Sequence, residues 1–249
     1  MKYKKIIIYG GTSEISLNLI KYYFHESEKF LIFCRVKNRF IKFLGKQNLN
    51  IDLLNKLEIF ETDLVDLEKN LEIIQNFENE ISGVFWISGY NGDSYNEYQN
   101  ITRAKNNLNI NFINPVLILT EISKKIIKNS NSFITVFTSV AGLRGRNKQL
   151  FYGSAKSGLI SFVSGLRQKL FKDDIHVMTV IPGYMKTKPF RESNLKSPKF
   201  LVISPDNVAK IVKLSIEKKK EVVFVNKFWR FIMIFINLIP EKIFKKFSF

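Results

Sequence analysis

Ser139, Tyr152 and Lys156 are residues whose types and spacing could do chemistry. A tyrosine hydroxyl can give up a proton, a neighbouring ammonium can favour the phenolate, and a serine hydroxyl can hold a carbonyl oxygen. Free tyrosine titrates near about 10, so it exchanges protons at neutral pH only with such help. Tyr152 and Lys156 stand four apart in Tyr152-Gly-Ser-Ala-Lys156, a spacing that shares one helix face. A helix beginning near Leu150 aims both the same way. Ser139 follows a strand-like run, 132–138, and ligands of open α/β sheets bind beyond strand C-termini. The chemistry implied is protonation of a carbonyl oxygen held by the serine, and the chain reads as an enzyme provided a cofactor site lies at the same sheet edge.

The N-terminus offers one. The run Lys5-Ile-Ile-Ile-Tyr9 leads into Gly10-Gly-Thr12-Ser13-Glu14-Ile15, then a helical pattern through Leu17, Leu19, Ile20 and Phe24. Strand, glycine turn and helix let a backbone approach a pyrophosphate at a helix N-terminus. After the second strand comes Cys34-Arg35-Val-Lys37-Asn-Arg39, with no acidic residue at the strand end to take a ribose 2′-hydroxyl. An arginine there favours a 2′-phosphate, so NADP(H) is expected over NAD(H), led by Arg35.

Elements that could position these residues alternate along the chain. Strand-like runs fall near 5–9, 30–34, 57–61, 82–88, 132–138, 175–181 and 221–225, with helical patterns between them. Alternation of this kind predicts an α/β fold, one doubly wound parallel sheet of about seven strands with helices on both faces. Ser204-Pro205-Asp reads as a helix start with proline at the first helical position. The expected division is a catalytic domain over 1–226 and a basic, aromatic segment over 227–249.

Together these residues resemble the short-chain dehydrogenase/reductase family over nearly the whole chain, which implies a Rossmann-type fold. The family's Thr-Gly-x-x-x-Gly-x-Gly motif falls on 9–16, where Gly10 is kept and Glu14 and Ser16 replace the other two glycines. A carboxylate at Glu14 would repel phosphate unless it turns outward. The resemblance implies a catalytic set of Asn111, Ser139, Tyr152 and Lys156, with Asn111 holding a water that links Lys156 to solvent and Lys156 also binding the nicotinamide ribose. For the cofactor it implies Gly10, Thr12, Ser13 and Ile15 at the turn and Asp63 and Leu64 at the adenine. Ser88-Gly89 stands where the family has Asn-Ala, Pro182-Gly183 forms the turn after the sixth strand, and Thr187 follows.

At 249 residues the chain fits one domain with a sizeable core. Its single cysteine, Cys34, forms no internal disulfide, and His25 and His176 are isolated, so no metal site is expected. The net charge of +17 accompanies a lysine, asparagine, isoleucine and phenylalanine bias of the kind AT-rich codons produce. No basic stripe with interleaved aromatics points to nucleic acid. The first apolar run is too short for a signal peptide, and a cytoplasmic location is expected, with the inner face of the membrane as an option.

Arg144 and Arg146 follow Ser139 closely, and Lys186, Lys188 and Arg191 follow Pro182-Gly183. Both segments should converge on the pocket mouth, which suits an anionic substrate such as a phosphate or pyrophosphate ester. The C-terminal stretch from Lys227 has an apolar run, 231–236, too short to span a bilayer, beside Lys242, Lys245 and Lys246. It fits a membrane surface, the domain itself or an oligomer contact equally well. Its Trp-Arg…Ile-Pro…Phe-Lys-Lys pattern, with Gly-Gly-Thr-Ser-Glu-Ile, is similar to reductases of the decaprenylphosphoryl keto-pentose type, which implies a sugar ketone on a polyprenyl phosphate. Three readings stay open: a reductase of a lipid-linked or phosphorylated sugar, a dehydrogenase of a soluble alcohol or ketone, and a non-catalytic nucleotide-binding or scaffold protein. The family resemblance also implies a homodimer or homotetramer.

Overall fold

Apolar runs become central parallel strands when both of their faces can be covered. The computed structural model describes residues 2–45, 51–193 and 197–247. Its strands are β1 (Tyr3–Tyr9), β2 (Ser27–Cys34), β3 (Leu57–Glu61), β4 (Ile81–Trp86), β5 (Phe133–Phe137), β6 (His176–Ile181), β7 (Tyr184–Met185), β8 (Val202–Ile203) and β9 (Val222–Phe224). Seven form one sheet in the order β3-β2-β1-β4-β5-β6-β9, every pair parallel, while β7 and β8 pair separately. This is the doubly wound parallel sheet expected from the alternation. Strand order reverses between β1 and β4, which opens a crevice at their C-terminal ends.

The helices are α1 (Glu14–Tyr23), α2 (Lys37–Gly45), α3 (Ile51–Asn55), α4 (Leu67–Gln75), α5 (Ser94–Gln99), α6 (Ile101–Leu108), α7 (Asn114–Ser123), α8 (Leu150–Leu170), α9 (Lys188–Arg191), α10 (Pro205–Glu217), α11 (Lys227–Leu238) and α12 (Glu241–Phe244). β1 shows how two layers arise from one run. Ile6 and Ile8 join Leu19, Ile20, Val208 and Val212 of α1 and α10, whereas Ile7 and Tyr9 join Ile118, Leu119, Leu159 and Val163 of α7 and α8.

Along the crevice the second face carries a row of rings. Phe60, Phe33, Tyr9 and Trp86 are neighbours in register on four adjacent strands, stacked at centroid separations of 5.0, 4.1 and 4.4 Å. Such pairs contribute roughly 0.5–1.5 kcal/mol each beyond their burial. They stiffen the strand ends from which the site is built.

Local signals set the boundaries. Ser13 caps α1 by accepting from Ile15 N–H at 3.2 Å, and Ser204 caps α10 ahead of Pro205. β4 stops at Trp86, short of the expected 88, because Ile87 and Ser88 N–H both turn to the Tyr9 carbonyl, at 2.9 and 3.1 Å. Between α6 and α7 one π-helical turn, Asn109–Ile113, interrupts the helix just before Pro115. That proline has no N–H for the carbonyl four residues back, that of Asn111.

Candidate active site

α8 begins at Leu150, whose N–H donates to Ser94 Oγ at 3.1 Å. One turn in, Tyr152 is half-buried, and Lys156, on the same face, is only 3% exposed. The Lys156 ammonium stands 5.6 Å from the Tyr152 ring centroid. Ser139 follows β5 in extended conformation, and its Oγ accepts from Ala141 N–H at 3.1 Å. Burial raises the Tyr152 pKa, while its hydrogen bond to Ser139 and the nearby positive charge of Arg146 pull it down. Burial lowers the Lys156 pKa from the usual 10.5 to about 8.

Gly89 measures how closely the fourth member approaches. A β-carbon added there would stand 3.1 Å from both Asn111 Oδ1 and Lys156 Nζ. Asn111 is fully buried on the π-helical turn. Its Nδ2 donates to the Tyr90 carbonyl (2.7 Å) and to Asn107 Oδ1 (2.8 Å), and its Oδ1 accepts from Tyr90 N–H (3.0 Å). With the side chain so committed, a water would have to be held by the Asn111 carbonyl, the group that Pro115 leaves without its ordinary helical donor. Asn107 in turn donates to the buried Glu97 at 2.6 Å.

The crevice also gathers residues expected at a dinucleotide. Gly10 has φ +97°, a conformation that favours glycine, and a β-carbon there would lie 3.0 Å from Ser88 N and Oγ. Ser16, in place of a family glycine, is fully buried and donates to the Gly10 carbonyl at 2.7 Å, bracing the turn from within. Thr12 is exposed beside Ser13, whose N–H closes the turn onto the Gly10 carbonyl, and Ile15 is buried behind the turn. Asp63 accepts from Val65 N–H, and the Leu64 carbonyl accepts from Asn114 Nδ2 at 2.6 Å, tying the loop after β3 to α7. The Pro182 carbonyl accepts from Val140 N–H at 3.0 Å, and Gly183 packs under the Trp229 indole. Thr187 stands just before the short α9, its hydroxyl donating to the Met185 carbonyl at 3.4 Å. A glycine turn with positive φ, a helix N-terminus and a close-packed Gly89 beside Lys156 fit a nicotinamide dinucleotide.

Arg35 is exposed at the end of β2, as the sequence suggests. The neighbouring strand adds what the sequence reading missed. Glu61, opposite Cys34, accepts from Lys37 N–H at 2.8 Å, which brings a carboxylate to the β2 end from β3.

Glu14 is held to the side by Arg191, with guanidinium contacts of 2.6 and 3.2 Å to its two oxygens. This pair ties α9 to the glycine turn, and Arg191 also donates to the Lys186 carbonyl at 2.7 Å. Lys186 and Lys188 are both exposed, Lys188 lying 3.6 Å from Glu192.

Arg144 does not face the pocket mouth, contrary to expectation. Its guanidinium donates to the carbonyls of Asn237 and Ile239 (3.1 Å each) and to Glu241 (2.7 Å), and lies over the Phe244 ring at 4.2 Å. Four partners on α11, α12 and the turn between them make it the anchor of the C-terminal segment. Arg146 stays with the site: Tyr152 and Tyr184 act on it electrostatically, burial lowers its pKa, and its buried Nε has no hydrogen-bond partner among the described residues.

The C-terminal segment supplies one wall. Trp229 is buried, donates Nε1–H to the Leu201 carbonyl at 3.0 Å and meets Tyr184 edge-on at 5.1 Å. With Val140, Ile181 and Met233 it forms a third apolar cluster. Tyr184 and Trp229 were not expected at the site. Tyr184 follows Pro182-Gly183 directly, while nothing local to Trp229 indicates where α11 docks.

The family model described as short chain dehydrogenase matches residues 4–198. The chain belongs to the short-chain dehydrogenase family. An uncharacterised oxidoreductase of Mycobacterium tuberculosis is 26% identical over 158 residues, 64% of this chain and 62% of the relative. The chain therefore spans somewhat under two thirds of that relative's length. A 3-oxoacyl-[acyl-carrier-protein] reductase of Bos taurus is 26% identical over 129 residues, 52% of this chain and 54% of its own. Among solved structures, a Burkholderia cenocepacia short-chain dehydrogenase in complex with NADP superposes with TM-score 0.79 at 14% identity, covering 98% of this chain and 97% of that one. A Sphingobium yanoikuyae short-chain dehydrogenase with NADPH gives 0.71 at 16%, covering 89% and 87%. At these identities the structural likeness is one of fold.

Proposed function

We propose that the protein is an NADPH-dependent ketoreductase, with Tyr152 as the acid that protonates the nascent alkoxide. The observation carrying this reading is that Lys156 stands against Gly89 with Asn111 and beside Tyr152, which is hydrogen-bonded to Ser139. Ser139 positions the carbonyl oxygen within reach of the Tyr152 phenol. Lys156, nearly buried, presents its ammonium to Tyr152 and to the cofactor ribose. The Asn111 carbonyl, which Pro115 cannot serve as donor, would hold the water through which Lys156 regains its proton. The nicotinamide, when bound, supplies the hydride. Thr12, Ser13 and the α1 N-terminus would hold its pyrophosphate, Arg35 its 2′-phosphate and Asp63 its adenine.

The substrate we infer is a sugar ketone carrying a phosphate, free or on a polyprenyl carrier. Support comes from Arg146, whose guanidinium is partly desolvated beside Tyr152 with Nε unpartnered, a costly arrangement that a bound anion would relieve. Likeness to the 3-oxoacyl-[acyl-carrier-protein] reductase of Bos taurus favours a second reading, a 3-oxoacyl thioester. NADPH oxidation with a phosphorylated keto-sugar, its dephosphorylated form and a 3-oxoacyl thioester separates the two. Turnover should favour the phosphorylated sugar, and Arg146→Ala should raise its KM while leaving the KM of the neutral sugar unchanged. Tyr152→Phe should lower kcat by roughly 10²–10⁴-fold with NADPH binding intact. Turnover surviving that substitution at the wild-type rate would sink the mechanism.

A further inference from the structure

α11 is apolar on two opposite sides, and the fold covers one of them. Trp229 and Met233 are buried, and with Ile232 and Ile236 they pack on Val140, Ile181, Leu143 and Tyr184. On the other side Phe231, Phe235 and Leu238 recur at i, i+4, i+7, with Ile234 between them. They are 60, 69, 73 and 48% exposed, and Ile243 of α12 is 51% exposed. Contiguous apolar surface of this kind marks a contact with something outside the monomer.

Charge identifies the occupant. Lys227, Arg230, Lys242, Lys245 and Lys246, in and beside these two helices, are all exposed. Glu241, the single acid of residues 227–247, is already paired with Arg144. A second copy would bring two such basic rims together, and their repulsion would oppose the apolar contact. An anionic lipid surface satisfies both features at once. Twelve helical residues extend about 18 Å, too short to span a bilayer, and no helix among the described residues is long and apolar enough to cross one.

We propose that the outward face of α11 and α12 docks on an anionic bilayer surface. The helix axis lies in the plane, Phe231, Ile234, Phe235 and Leu238 reach the boundary of headgroups and acyl chains, and the lysines extend to the headgroups. Arg144 fixes the turn between the two helices, so the face is presented rigidly. Because Trp229 on the inner side meets Tyr184, docking sets the crevice close to the lipid. The inference does not depend on which ketone the enzyme takes.

Flotation of the full chain with vesicles tests it, comparing phosphatidylcholine alone with an equal mixture of phosphatidylcholine and phosphatidylglycerol at physiological salt. Wild type should float with the anionic vesicles only. The double variant Phe231→Glu, Phe235→Glu should bind them at least tenfold more weakly while keeping NADPH affinity and circular dichroism, since both positions are exposed. No wild-type flotation, or equal flotation with both compositions, overturns the proposal. So does undiminished binding by the variant, which would place the attraction in the lysine-rich surface at large. A wild type that ignores vesicles, with a variant that sediments as a smaller species, assigns the face to a second copy instead.

Discussion

Lys156 lies in two opposed pH dependences. Burial holds its folded pKa near 8, below the value of about 10.4 expected for the unfolded chain. Between those values the unfolded state binds more protons, so this group raises stability as pH climbs from 8 toward 10.4 and costs stability below 8. A shift of this size corresponds to about 3 kcal/mol when fully expressed. In thermal unfolding, Lys156→Met should therefore be more stable than wild type at pH 7, and the gap should narrow by pH 9.5. Catalysis runs the other way. The proposed reduction draws on the ammonium, so kcat should fall as pH rises through about 8, and a rate independent of pH between 7 and 9.5 would remove Lys156 from proton delivery. Glu14 and Arg191 form the second residue-scale device. Glu14→Gln frees Arg191 and removes the carboxylate from the cofactor turn. NADPH should then bind about two- to fivefold more tightly by fluorescence titration, the range expected for an exposed ion pair.

At the scale of elements, the C-terminal segment is held where its sequence alone could not place it. Arg144→Ala removes two carbonyl contacts, a carboxylate contact and a ring contact from α11 and α12. It should cost about 1–3 kcal/mol, lower Tm by a few degrees and speed proteolytic cleavage after Lys227 or Arg230, with NADPH affinity unchanged. Loss of NADPH affinity would instead return Arg144 to the site. The contrast between Arg144 and Arg146 shows what was legible beforehand. Strand runs, the Leu150 helix start, the Ser204 cap and the four-residue spacing of Tyr152 and Lys156 are local signals, and the seven sheet strands formed on the runs expected, with ends such as that of β4 shifted by contacts between strands. The destination of Arg144, the reach of Glu61 across to the β2 end and the docking of Trp229 beneath Tyr184 depend on contacts between distant segments. Two arginines separated by one residue carry no local mark of which will turn inward.

Over the whole molecule, two electrostatic effects on the cofactor differ in range. The net charge of +17 produces a long-range attraction for a polyanion, whatever its detailed placement. Arg35, exposed at the end of β2, acts only within a few ångströms of a 2′-phosphate, and it does so beside the carboxylate of Glu61. The long-range part governs the association rate and is screened by salt over a Debye length of about 8–10 Å. On the proposed reading the local part governs dissociation and would discriminate NADPH from NADH. Stopped-flow binding should therefore show an NADPH association rate falling roughly tenfold from low to physiological salt. Arg35→Ala should leave that slope nearly unchanged, raise the NADPH dissociation rate by roughly tenfold for one lost charge-assisted contact, and leave NADH binding alone. If the substitution weakens both cofactors equally, Arg35 contributes only to the general field, and the preference for the 2′-phosphate loses its basis. Glu61→Gln is the complementary probe. Removing that carboxylate should tighten NADPH and loosen NADH, because a carboxylate there would repel a 2′-phosphate and could accept from a ribose hydroxyl at the same strand end.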